Sequence, residues 1–144
     1  MWLWLSFGAA VLWGLDYAIT GQVLKKISFP TLISIELLCG FLVMLVITLV
    51  TKSWKADFST ILSSRSLFIL IAIITVSFAV ANLLITASIQ QKGASIASII
   101  EISYPFFVVI FTGLIFKEND LNAATMIGGV LVFLGVSVIY LFNK

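Results

Sequence analysis

Five long apolar runs, with charge confined almost entirely to the gaps between them, constrain this chain more than any other feature. They lie at roughly 2–24, 31–51, 66–89, 94–116 and 121–142, each close to the ~20 residues a helix needs to cross the hydrocarbon core of a bilayer. Hydrophobic residues make up 62% of the chain and charged residues 10%, against roughly 45–50% and about 25% in soluble domains. So little polar surface cannot keep a compact monomer in water. The runs are rich in Leu, Ile, Val and Phe without strand-like alternation, which argues against an outer-membrane barrel. The expected fold is an all-α integral membrane protein, a single domain over residues 1–144 with five transmembrane helices.

The same composition removes much of the functional menu. The chain has no His, so imidazole acid–base chemistry and His metal ligation have no donor. A single cysteine, Cys39, permits no internal disulfide and is expected as a packing residue. There is no phosphate-binding glycine loop, nucleophile elbow or zinc-protease helix. The expectation is no enzyme, no cofactor and no metal. Net charge is +2 with no basic patch, so nucleic acid is not an expected partner.

The first run lacks a positive leader and contains Trp13-Gly14-Leu15-Asp16-Tyr17, so it reads as a mature helix, not a cleaved signal. Pro30 suits the first turn of the second helix. The stretch 52–65 mixes apolar and charged residues and reads equally as a short interfacial helix or a surface loop. Five spans put the chain ends on opposite faces. On the face of the N-terminus, side A, the loops carry Lys52, Lys55, Arg65 and Lys117; side B carries Lys25, Lys26, Lys92 and Lys144. Four against four leaves the positive-inside rule undecided, and an undecided chain is expected to insert both ways and pair as an antiparallel dimer. A single orientation set by the first helix or by a partner is the alternative.

Three acids stand inside the runs: Asp16, Glu36 and Glu101. Each ionised acid near mid-membrane costs roughly 2.5–3.5 kcal/mol on insertion scales. At a rise of about 1.5 Å per residue they lie roughly 12, 8 and 10–12 Å from side B, in one layer. Carboxyl groups in such a layer can exchange protons or bind a cation. Packing or interfacial solvation is the competing explanation, strongest for Glu36. Trp13 and Tyr17 flank Asp16, and Tyr104 follows Glu101 by three residues, so aromatic faces could frame an organic cation; packing is the plainer role. Asn82 and Ser77 offer further polar contacts in the third span. Pro105 is expected to kink the fourth span as a hinge, although a static kink serves as well. The fifth span is uncharged and sets Ala124, Gly128 and Gly135 close to one stripe, expected to serve dimerisation.

Leu12-Trp13-Gly14-Leu15-Asp16-Tyr17-Ala18, the stretch Ala87–Ser98, Tyr104-Pro105-Phe106-Phe107, Phe116-Lys117-Glu118 and Gly128–Val136 occur in this order. Together they resemble one EamA-type half of the drug/metabolite transporter superfamily, over nearly the whole chain. Ten-helix members contain two such halves in inverted orientation. The resemblance therefore implies an unduplicated half that works as an antiparallel homodimer by alternating access, related to the four-helix small multidrug resistance proteins. Acids at positions 36 and 101 depart from the family's usual pattern and suggest a cation preference.

The resulting expectation is a proton-coupled exporter of a small cationic metabolite or drug in a bacterial-type inner membrane. Its partners would be the solute, protons, the lipid bilayer and a second copy of the chain. Asp16 and Glu101 would carry the proton or cation, with Glu36 assisting and Trp13, Tyr17, Tyr104 and Asn82 lining the cavity. A non-transporting membrane subunit, and a carrier of neutral or anionic solutes with the acids serving only proton coupling, are the alternatives.

Overall fold

A computed structural model describes residues 1–117 and 123–142, apart from the side chain of Thr125. Lys144, Glu118 and the first residues expected for the fifth span lie outside the described residues. All regular structure described is helical: α1 (Trp2–Val23), α2 (Phe29–Thr51), α3 (Trp54–Ser63), α4 (Arg65–Lys92), α5 (Ala94–Glu101), α6 (Tyr104–Phe111), a π-helical turn Thr112–Phe116, and α7 (Ala123–Phe142). Among the described residues four stretches are long and apolar enough to cross a membrane: Trp2–Val23, Phe29–Thr51, Arg65–Lys92 and Ala94–Phe116. The apolar α7 follows them.

Local chemistry explains where these helices begin and end. Pro30 lies in the first turn of α2, where its missing N–H removes no intrahelical bond. Lys52 closes α2 in the left-handed conformation, with φ 56°. Ser64 caps α4, its Oγ accepting from the Leu67 N–H at 3.3 Å. The connection from α4 to α5 is the single residue Gly93, with φ 85°, a backbone conformation that costs glycine nothing. The ambiguous stretch after α2 is helical over Trp54–Ser63, with Trp54, Phe58 and Leu62 exposed at helical spacing.

The span at 94–116 is divided near its middle by a turn at Ile102 and Ser103, both of which keep right-handed helical dihedrals. α5 ends at Glu101, the backbone turns through Ile102 and Ser103, and α6 starts at Tyr104. Pro105 falls in the first turn of α6. It lacks the N–H that would donate to the Glu101 carbonyl, and its ring would crowd that carbonyl in a continuous helix. The break therefore appears one turn before the proline.

Packing is concentrated at one end. The buried residues Thr20, Leu24, Ile33, Thr86, Ile89 and Ala97 all lie where α1 ends, α2 begins and the α4–α5 corner turns, which is side B. Leu24, Ile89 and Ala97 form the core cluster, with Tyr17, Phe29 and Ile85 packed on it. At the opposite end the helices bury little of one another. The accessible surface is 11447 Å² for 15.8 kDa, against about 7,300 Å² for a compact monomer of this mass. Cys39, expected among the packed residues, is instead exposed on α2, because α2 turns that face away from α1 and α4.

Candidate functional site

A cavity of about 630 Å³ opens between α1, α2 and α4, directly beneath the packed end. Helical spacing explains who lines it. Trp13, Asp16, Tyr17 and Thr20 share one face of α1, while Ile33, Glu36, Leu37, Gly40 and Met44 share one face of α2. From α4 come Thr75, Phe78, Asn82, Ile85, Thr86 and Ile89. Two carboxylates therefore line one space, and that lining holds no Lys or Arg to neutralise them. Asp16 and Glu36 are near enough for their charges to interact.

Five of the seven residues expected from the sequence to bind solute or protons, namely Asp16, Glu36, Trp13, Tyr17 and Asn82, are brought together here. The Trp13 and Tyr17 rings lie 5.6 Å apart at 50°, presenting an aromatic wall beside Asp16. Asn82 donates from Nδ2 to the Phe78 carbonyl at 2.8 Å, which leaves its Oδ1 as an acceptor.

Glu101 stands apart from that lining. It is half-buried at the C-terminal end of α5, where it accepts a hydrogen bond of 2.6 Å from the Tyr17 hydroxyl, 84 positions earlier in the chain. Tyr17 thus presents its ring to the cavity and its hydroxyl to the neighbouring helix. Tyr104 is exposed at the start of α6.

The remaining expected residues gather elsewhere. Pro105 and Gly128 line an apolar groove of about 710 Å³ between α6 and α7. There Phe106 and Phe133 approach to 6.0 Å. Ala124 and Gly135 are exposed on α7, and a Cβ added at Gly135 would meet nothing within 4 Å.

Sequence reasoning missed Thr20, Thr86, Thr75, Phe41 and Phe78 as wall residues. The signal was available: Thr20 follows Asp16 by four, Thr86 follows Asn82 by four, and Phe78 precedes it by four, the spacing of one helical face. Chemically, the arrangement offers two carboxylates for positive charge, an aromatic wall and an uncharged polar wall.

Neither the curated proteins nor the solved structures give a match to the chain. Its multi-pass helices and the order of its sequence motifs agree with a family profile that spans residues 1–141, and the chain belongs to the EamA-like transporter family.

Proposed function

We propose that this membrane transporter exports a small organic cation in exchange for protons. It works as an antiparallel homodimer by alternating access in a bacterial-type inner membrane. The observation that carries the reading is the cavity with two carboxylates and no lining base. An ionised carboxylate within a membrane span is expensive unless neutralised, and either two protons or one cationic solute with a proton neutralises this pair. Binding of one then displaces the other, and competition of this kind couples the two flows. Trp13 and Tyr17 supply ring faces suited to a cation beside Asp16.

A second copy is supported by the open architecture. The helices leave about 4,000 Å² more surface exposed than a compact fold of this mass would. The even distribution of basic residues between the two faces suits insertion in both orientations. Within the dimer, the small residues Ala124, Gly128 and Gly135 would allow α7 close contact with its counterpart.

The test is flux. Purified protein in liposomes should drive a fluorescent quaternary ammonium dye against an imposed proton gradient, and Asp16→Asn combined with Glu36→Gln should abolish this. Reporters fused to the C-terminus should signal from both faces of the membrane. A gradient-independent flux, or one indifferent to both substitutions, refutes proton–cation exchange; a reporter confined to one face refutes the antiparallel pair. Absence of flux together with a tightly copurifying second chain would replace the exporter with a non-transporting subunit, which the same open surface would also suit.

A further inference from the structure

We infer that the Tyr17–Glu101 hydrogen bond is a latch, holding α1 against the α4–α5 corner and keeping the side-B end shut. Glu101 is thereby a positioning residue in the transport cycle, not a ligand of the solute. The inference rests on the alternating-access reading, because a latch matters only if that end opens.

Three observations converge on this pair. The bond is short, 2.6 Å, and joins side chains on two different helices. It lies next to the packed end, where Leu24 and Ala97, from the same two helices, bury each other together with Ile89. It also stands at the break: Glu101 is the last residue of α5, and beyond Ile102 and Ser103 the chain starts again as α6. Force on α6 therefore meets the α1–α5 contact first at Glu101. Glu101 is not among the residues that line the cavity between α1, α2 and α4, which separates it from the solute.

The chemistry of the bond sets its strength. A phenol donating to a carboxylate makes a charge-assisted bond, roughly twice as strong as one between neutral groups. Parting α1 from α5 at the side-B end breaks this bond, so the bond holds that end shut. The acids bearing on the pair are Asp16, whose charge reaches Tyr17, and Glu36, whose charge reaches Asp16. α4 carries only Arg65 and Lys92, at its two ends, and the described part of α7 only Tyr140. Within the latch, Tyr17 is the donor and Glu101 the acceptor.

The experiment uses the full chain in detergent, with Cys39→Ser and Ala97→Cys as a reporter at a position 2% exposed. A water-soluble maleimide then reads how often the side-B end opens. Tyr17→Phe and Glu101→Gln, made separately, should each speed labelling by about tenfold to a hundredfold, the factor expected from losing a hydrogen bond to a charged group. In Glu101→Gln, a position outside the cavity lining, binding of the quaternary ammonium dye should stay within a few-fold of the parent. Unchanged labelling in both variants, or dye binding lost in Glu101→Gln with labelling unchanged, overturns the latch. A full labelling response in a chain that binds no cation sustains the latch and refutes the cation reading instead.

Discussion

Gly21 packs α1 against the α4–α5 corner, and substituting it tests whether that end is as tightly shut as the geometry implies. A Cβ added at Gly21 would meet the Ala94 Cβ at 3.3 Å, with the Ala94 nitrogen at 3.8 Å and the Ile89 Cγ2 at 3.9 Å. Carbon atoms prefer about 3.5–4.0 Å, and the Ala94 methyl has no rotamer by which to retreat. Gly21→Ala therefore requires a shift of a few tenths of an ångström, which offsets the ~0.5–1 kcal/mol that alanine gains over glycine in a helix. Gly21→Val places two more carbons beyond the first, against Ala94 and Ile89, and overpacking of this kind costs about 1–3 kcal/mol. Gly8 is the control, because a Cβ there meets nothing within 4 Å and the same substitution carries the same change in propensity. Unfolding of the purified variants in detergent by titration with SDS should show Gly21→Val less stable than Gly8→Val by about 1–3 kcal/mol. Equal stabilities for the two valine variants would mean that the corner gives way freely, and the reasoning about a tightly closed end would fail.

Three other outcomes are expected. Dye binding should weaken as pH falls, because protons occupy the carboxylates the cation needs; with Asp16→Asn and Glu36→Gln together, equilibrium dialysis from pH 5 to 9 should find weak, flat binding, and a retained slope would place the competing proton elsewhere. Pro105→Ala restores an N–H that can donate to the Glu101 carbonyl, so the break should heal, with helix content rising by circular dichroism and flux falling more than dye affinity; unchanged flux would deny the break a part in motion. Asn82→Leu should lower dye affinity several-fold while costing no more than about 0.5–1.5 kcal/mol of stability, since the bond from Asn82 to the Phe78 carbonyl is local; a loss of folding would give Asn82 a structural role.

The membrane spans were legible because lipid imposes a length and excludes charge, and both leave marks in a linear sequence. Counting 1.5 Å per residue also puts the three acids in one layer. What depth arithmetic lacks is rotation about the helix axis and the spacing between helices. Asp16 and Glu36 share the cavity while Glu101 faces the Tyr17 hydroxyl, a difference of azimuth that single-sequence counting does not hold. Tyr17 was read for its ring, although a phenol in the membrane also needs an acceptor, and that need pointed toward an acid on another helix. Pro105 announced a disturbance, but its steric conflict falls on the carbonyl four residues earlier, so the helix ends at Glu101 and not at the proline. Cys39 was misplaced because an apolar run does not say which of its faces meets lipid.

The break at Ile102–Ser103 also changes the electrostatics of the bilayer interior. An unbroken helix over 94–116 would run its peptide dipoles head to tail, with partial charges only at its two ends. Ending α5 at Glu101 and starting α6 at Tyr104 creates two further half-helix ends at membrane depth, one with partial negative and one with partial positive charge. A carboxylate is poorly matched to the negative end that α5 presents at Glu101. The Tyr17 hydroxyl and the start of α6 are what make that position tolerable, so straightening the helix would alter the electrostatic surroundings of Glu101 even if no side chain were changed.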